Sequence, residues 1–219
     1  MLLCVLGLGL LYRLRPAAAF RELGTGASPL HAAAFSLLAT SPMLLVYGWA
    51  AGFGTALSLR GAITTAVMAP LAEEVLYRGF LFGQLRRRAG WSFWGAAMVG
   101  LVPFALGHLY QAVQAEYSPV DTAGVLAVTG AGHVFFAWLL ERWGSLWVPM
   151  GMHALMNLWW GLFAVDTTAL GGAQANLARG LTLALAIGFT VLLRRGRPGW
   201  AEAPPPPGAA PALSAAGGS

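Results

Sequence analysis

Residues 68–80 read MAPLAEEVLYRGF, and their Glu73, Glu74 and Arg78 are the only charged residues between Gly61 and Leu85. The surrounding run is long and apolar enough to form a membrane helix. Each charge at the centre of such a helix costs about 2.5–3.5 kcal/mol, so three cost roughly 8–10 kcal/mol unless they pair or face water. Ionisable groups in this position are therefore functional candidates.

The composition is that of a membrane protein. Of the 219 residues, 58% are hydrophobic and 10% are charged, whereas a soluble domain carries about 25% charged residues. All 13 basic residues are arginines that lie mostly between apolar segments, which argues against a nucleic-acid-binding face. The single cysteine, Cys4, excludes an intrachain disulfide and a cysteine-based metal cluster.

Long apolar segments follow one another along the chain, and no segment alternates with the period of two that a strand requires. They predict an all-α, polytopic membrane protein with about six to seven transmembrane helices, because the first segment is too short to span. The segments are 1–12, 31–57, 61–85, 91–109, 121–141, 145–165 and 177–193.

The same pattern divides the chain into four parts. N-terminal transmembrane segments occupy 1–60, and a core that carries the intramembrane charges occupies 61–165. A last transmembrane segment lies within 166–197, and a tail rich in Pro, Ala and Gly at 198–219 is predicted to be disordered.

Arginine placement predicts the orientation in the membrane. Alternate loops hold ten of the 13 arginines, and the positive-inside rule puts these loops and the C-terminus in the cytoplasm. The opposite loops are predicted to hold Arg60 and Arg179. The expected location is a bacterial inner membrane.

Helical spacing assigns different roles to the two carboxylates. Glu74 and Arg78 are four residues apart, so they share a helix face and can form an ion pair. Glu73 points about 100° away and remains available as a general base. The simpler alternative is that both acids share Arg78 as a contact between helices.

Two later segments carry further polar groups. FALGH ends in His108, and HALMN places His153 and Asn157 four residues apart on one helix face. Asn is a poor zinc ligand, but its amide donates well to a developing oxyanion. A single buried histidine is more often a packed core residue, and this is the role expected of His133.

Taken together, the motifs EEVLYR, FALGH and HALMN resemble the CPBP family of intramembrane proteases, which are related to the type II CAAX prenyl endopeptidases. The motifs occur in the family's order, each on its own apolar segment, within 68–160. The resemblance implies an endopeptidase with its site in a helix-walled cavity inside the membrane.

The resemblance also implies roles for the individual residues. Glu73 would activate the attacking water, and His108 would assist it. His153 and Asn157 would stabilise the oxyanion, and the Glu74–Arg78 pair would hold Glu73 in place.

Two chemistries remain open at this stage. Glu73, His108 and His153 would serve as ligands if the protein uses Zn²⁺. The same residues suffice for metal-free general-base catalysis. We favour the metal-free reaction, because Asn157 occupies the position where a further histidine would serve zinc better.

The expected substrate is a protein or peptide with a hydrophobic or C-terminal segment, met within the lipid bilayer. Processing of C-terminal tails or sorting signals, as in relatives of the myxosortase type, fits this expectation. Two rival functions remain: a non-enzymatic bacteriocin-immunity or scaffold protein on the same fold, and an ion-coupled transporter, since intramembrane carboxylates also form ion relays.

Overall fold

The computed structural model describes residues 1–53, 57–197 and 199–200, and these residues form helices and connecting loops with no strand. The predicted all-α class is confirmed, and each of the seven predicted segments contains a helix. The helices are α1 (Leu2–Tyr12), α2 (Pro16–Glu22), α3 (Pro29–Ala51), α4 (59–88), α5 (Phe93–Leu106), α6 (Leu109–Gln114), α7 (Pro119–Trp143), α8 (Trp147–Leu162) and α9 (Ala173–Leu193).

Helix α4 carries the charged motif and alternates between two kinds of turn. Its α-helical stretches are Leu59–Ala62 and Ala69–Glu73. Between and after them the backbone forms wider π-helical turns, at Ile63–Met68, Glu74–Phe82 and Gln84–Arg88. Such turns are frequent at functional sites, because they redirect side chains and free backbone carbonyls.

Four helical stretches in the described part of the chain are long and apolar enough to cross a membrane: α3, α5 extended through α6, α7 and α9. Helices α1 and α2, bent by 106° relative to each other, make a fifth if they are counted as one span. Helix α8 has 16 residues and α4 is divided by its π-helical turns, so neither enters that count. Of the six to seven predicted spans, four to five are thus confirmed in the described residues.

The outer surface of the helices is apolar. Leu3 and Leu10 are each 83% exposed, and Trp49 is 82% exposed. Large apolar side chains in this number would be a liability in water, whereas acyl chains solvate them without cost. The surface therefore supports the membrane assignment independently of helix length.

The arginine-rich loops gather at one end of the helices. Arg86 pairs with Glu141, and Arg88 Nε lies 2.9 Å from Glu22 Oε1. Arg194 Nε donates to the carbonyl of Arg142 at 2.9 Å. The opposite end is formed by the loops around 107–118 and 163–172, where Gln111 Oε1 accepts a hydrogen bond from the Ala169 N–H at 2.8 Å.

Two predictions about the C-terminal part change. Arg179 does not lie in a loop: it is within α9, about two turns from the start of that helix. Most of the predicted tail at 198–219 lies outside the described residues, but Trp200 is buried against Gly83, with Arg87 5.0 Å from its ring centroid. That one residue is packed, because an indole ring fills the space that Gly83 leaves open.

Candidate active site

A cavity of about 680 Å³ lies among the helices, and residues of α3 to α9 line it. Helix α3 packs against α8 and α9, and α5 packs against α7, which encloses the space between them. Four of the six predicted site residues line the cavity: Glu73, His108, His153 and Asn157. The fold thus brings together side chains from three segments that are distant in sequence.

The other two predicted residues, Glu74 and Arg78, form the expected ion pair behind the cavity wall. Arg78 Nη1 lies 3.1 Å from Glu74 Oε1, and both side chains are fully buried. The guanidinium lies 4.4 Å from the ring centroid of Phe104 and 5.4 Å from that of Phe136. These aromatic faces stabilise the cation where water is excluded.

His153 is oriented by Glu74, a contact that spacing along one helix did not predict. His153 Nδ1 lies 2.8 Å from Glu74 Oε1. The imidazole ring stacks on Phe136, with centroids 5.0 Å apart and an interplanar angle of 17°. A carboxylate can only accept, so Nδ1 carries the proton and Nε2 faces the cavity side. Glu74 therefore fixes His153 in addition to pairing with Arg78.

Glu73 differs from its neighbour in being accessible and uncommitted. Its side chain is 28% exposed, against 0% for Glu74, and its Oε2 lies 3.8 Å from His153 Nε2. This distance is longer than a hydrogen bond, and Oε2 is shielded without a hydrogen-bond partner. The exposed part of the Glu73 side chain, rather than the shielded Oε2, is what a water or a substrate in the cavity can reach.

His108 is held by the end of α5. Helix α5 ends at Leu106, which leaves its last carbonyl groups without partners within the helix. The Phe104 carbonyl accepts from His108 Nδ1 at 2.8 Å. This bond places the proton on Nδ1 and leaves Nε2 as an acceptor in the cavity wall.

Asn157 is held by a carbonyl that a proline has freed. In the π-helical turn of α4, the Ala69 N–H bonds to the Thr64 carbonyl, and Pro70, next in line, has no N–H to offer Thr65. Asn157 Nδ2 donates to the Thr65 carbonyl at 3.0 Å instead. The amide thus bridges α8 and α4, and its second N–H remains for a ligand.

His133 does not line the cavity. It is fully buried, its ring centroid lies 5.2 Å from that of Phe104 and 6.0 Å from that of Tyr77, and Gly100 leaves the space that it fills. The packing role expected for His133 agrees with these contacts.

The predicted metal ligands do not form a coordination group. In the described residues, no three His, Cys, Asp or Glu side chains are close enough to hold a metal ion together. Glu73, His108 and His153 share the cavity, and each histidine keeps Nε2 available because its Nδ1 bonds to Phe104 or to Glu74. Among the described residues, these side chains are not gathered closely enough for a zinc site, for which three protein ligands are usual.

Sequence reasoning missed Arg179 as a cavity residue. Its side chain lines the cavity together with Trp160, beyond the residues of the three motifs. A signal was present: Arg179 lies inside the apolar segment 177–193, where a charge is as costly as in α4. It was assigned to a loop because it stands near the start of that segment.

Comparison with known proteins agrees with the motifs. Residues 55–159 match the family model of the Rce1-like type II CAAX prenyl endopeptidases. This range contains all six predicted site residues, so the resemblance drawn from three short motifs is confirmed for that segment.

A relative from Bacillus subtilis (strain 168), described as "Putative membrane peptidase YdiL", is 28% identical over 95 residues. These residues are 43% of this chain and 33% of the relative, so the chain matches about a third of the relative's length. No solved structure matches the chain.

Proposed function

We propose that this protein is an intramembrane endopeptidase that hydrolyses a peptide bond with water activated by Glu73. The observation that carries the proposal is the arrangement of the cavity: Glu73, His108, His153 and Asn157 line it, while Glu74 and Arg78 neutralise each other behind it. The family match and the curated relative support peptidase chemistry.

In the proposed reaction, Glu73 takes a proton from a water as its oxygen attacks the substrate carbonyl. The carbonyl oxygen becomes an oxyanion, which the free N–H of Asn157 stabilises by donation. His153, which Glu74 holds through Nδ1 and whose Nε2 lies 3.8 Å from Glu73 Oε2, is assigned to the same group around the oxyanion. Glu73 then returns its proton to the leaving amine as the C–N bond breaks. His108 accepts from the water through Nε2 and orients it.

We propose that this reaction proceeds without a metal ion. General-base chemistry needs the uncommitted carboxylate of Glu73 and a donor for the oxyanion, and both line the cavity. Purified protein treated with 1,10-phenanthroline and dialysed, with zinc measured by elemental analysis, should cleave at the untreated rate. Loss of cleavage that added Zn²⁺ restores would contradict the metal-free reaction.

The substrate class proposed is a membrane-associated protein or peptide with a hydrophobic or C-terminal segment, because the cavity lies among helices with apolar outer surfaces. The arginine-rich end is proposed to face the cytoplasm, in a bacterial inner membrane, which also puts the C-terminus there. Reporter fusions to the C-terminus and to the 163–172 loop should report opposite sides of the membrane.

One experiment tests the function directly. Membrane proteomes of cells that express wild-type protein or Glu73→Gln should differ in proteins that retain an uncleaved hydrophobic or C-terminal segment. His31→Gln, an exposed histidine away from the cavity, is the matched control and should resemble the wild type. Equal processing by wild type and Glu73→Gln would overturn the proposal and favour a non-enzymatic role.

A further inference from the structure

The cavity continues beyond the motif residues, along α8 toward α9. His153 and Trp160 both line it and are seven residues apart on α8, which corresponds to about 10 Å of helix. The guanidinium carbon of Arg179 lies 4.4 Å from the Trp160 ring centroid, and Arg179 lines the same cavity. The Arg179 guanidinium therefore lies in the part of the cavity wall beside Trp160, about two helical turns along α8 from His153.

Within the described residues Arg179 has no carboxylate in direct contact, and Asp166 acts on it only through longer-range electrostatics. No carboxylate oxygen there comes within 4.0 Å of its guanidinium, and its Nη1 is shielded from solvent without a hydrogen-bond partner. Asp166 lines the same cavity, but its Oδ1 accepts the Thr168 N–H at 2.9 Å and faces that turn. Arg78 also has buried nitrogens without hydrogen bonds, but it has the Glu74 carboxylate oxygen Oε1 at 3.1 Å and does not line the cavity.

The chemistry of a buried guanidinium without a carboxylate in contact indicates which ligand it can bind. Leaving buried N–H donors of a charged group unbonded costs free energy, and this cost is recovered when an acceptor binds. Trp160 covers one face of the Arg179 guanidinium. The guanidinium can therefore bind a molecule in the cavity through the N–H groups in its plane. A planar fork of N–H donors matches a carboxylate, which it binds with two parallel hydrogen bonds.

We propose that Arg179 binds a carboxylate of the substrate, at the end of the cavity remote from Glu73, and so selects which peptides are cleaved. The inference rests on the proposed function, whose reacting groups occupy the other end. The carboxylate is either the C-terminal α-carboxylate or an Asp or Glu side chain, and it lies only a few residues from the bond that Glu73 attacks.

The test measures binding on a Glu73→Gln background, so that no cleavage is needed. The probes are three fluorescein-labelled hexapeptides of Ala, Leu and Val: one with a free C-terminal carboxylate, one amidated, and one amidated with Asp as its last residue. Fluorescence anisotropy with the protein in nanodiscs gives the Kd. We expect the carboxylate peptides to bind about 10- to 100-fold more tightly than the plain amide, since hydrogen bonds to charged groups are strong.

Substitution of Arg179 should remove this difference. Arg179→Met on the same background should bind all three peptides equally, and Arg179→Lys should restore part of the preference through its charge. Arg194→Met is the matched control, because Arg194 also faces a tryptophan, with its guanidinium carbon 5.5 Å from the Trp143 ring centroid, and does not line the cavity. It should keep the full preference.

The outcomes separate this inference from the function on which it rests. Equal binding of acid and amide peptides, a preference that survives Arg179→Met, or no binding of any probe overturns the role of Arg179. Preference for the free C-terminus over the Asp peptide, or the reverse, identifies the source of the carboxylate. With a processed substrate, Arg179→Met should raise KM and leave kcat nearly unchanged, whereas failure of the proposed function shows as equal processing by wild type and Glu73→Gln.

Discussion

The two ends of the cavity hold arginines in opposite situations. At the Glu73 end, Arg78 is fully buried, paired with Glu74 at 3.1 Å and flanked by two aromatic rings, and it does not line the cavity. At the other end, Arg179 lines the cavity with an aromatic ring as its neighbour and no carboxylate in contact. The arginine with a carboxylate in contact thus lies behind the cavity wall, and the arginine without one lines the cavity.

The two glutamates repeat this division one residue apart. Glu74 is fully buried and contacts Arg78 and His153 through Oε1, whereas the side chain of Glu73 is 28% exposed and makes neither contact at hydrogen-bond distance. In both comparisons the charge with a partner has a structural role, and the charge without one faces the cavity. The reacting end also lies within the range that matches the peptidase family, 55–159, while Arg179 lies beyond it. The residues of the proposed reaction thus lie inside the segment that matches the family, and the proposed carboxylate-binding arginine lies outside it.

The largest effect is expected where the free carboxylate is removed. Glu73→Gln should lower kcat by about 10²- to 10⁴-fold, the range that a positioned general base contributes. Its unfolding temperature should stay near the wild-type value, because Oε2 of Glu73 makes no hydrogen bond that would be lost. Cleavage of a peptide identified from the proteome comparison, with thermal unfolding in the same detergent, provides both measurements. A large loss of stability would instead place Glu73 with the structural charges.

Removing each arginine in turn tests whether Arg78 and Arg179 differ in their contribution to stability. Arg78→Met should lower the free energy of unfolding by about 3–5 kcal/mol, because it leaves the buried Glu74 carboxylate uncompensated. Arg179→Met should lower the free energy of unfolding much less, since no carboxylate is in contact with Arg179.

Replacing both members of the buried pair, as in Glu74→Leu with Arg78→Met, should recover much of the stability but no cleavage, because His153 then loses its carboxylate partner. Equal destabilisation by the two single arginine substitutions would contradict the distinction.

A smaller effect is expected from the amide at the reacting end. Asn157→Ala should lower kcat by about 10²- to 10³-fold, as removal of one oxyanion donor does elsewhere, with little change in KM. Asn176→Ala is the matched control, because Asn176 lines the same cavity but its amide donates to the carbonyls of Leu170 and Gly171. It should leave kcat close to that of the wild type. If the two variants lose kcat equally, Asn157 has no particular role in the reaction.

The smallest effect concerns the histidine that lies outside the cavity. A Cβ added at Gly100 would lie 2.6 Å from His133 Cε1, so Gly100→Ala should destabilise the fold by about 1–3 kcal/mol. Adding His133→Ala should relieve the clash, and the double variant should still cleave. Gly188→Ala on α9, where an added Cβ meets nothing within 4 Å, is the control for helix propensity. Loss of cleavage in the double variant that exceeds its loss of stability would make His133 part of the reacting group.

The charged residues of the candidate site could be predicted from the sequence, because placing a charge inside an apolar membrane helix costs free energy and is therefore rare. Glu73, Glu74 and Arg78 are conspicuous in an apolar run, and four-residue spacing alone predicts the ion pair that the structure contains. Arg179 carried the same signal, yet it stands so near the start of its segment that a shift of a few residues turned a cavity residue into a loop residue. Helix ends are the least certain part of any prediction from sequence.

Other features depended on backbone detail that periodicity does not contain. Asn157 finds its partner at the Thr65 carbonyl because π-helical turns and Pro70 leave that carbonyl free. His108 binds the Phe104 carbonyl because α5 ends two residues before it. Neither bond follows from residue types, since each arises where a regular helix stops or widens.

The all-α membrane class, the candidate polar residues and the pairing of Glu74 with Arg78 all follow from the amino-acid sequence, because hydropathy and helical spacing are local properties of the chain. The packing of the helices determines that Glu74 also orients His153, that the Glu73 side chain stays partly exposed, and that Arg179 shares a cavity with residues of all three motifs. These contacts join α4, α8 and α9. Glu74 and His153, for example, are 79 positions apart in the sequence. Contacts over such separations depend on how helices pack, and helix packing is set by the shapes of all the side chains between them.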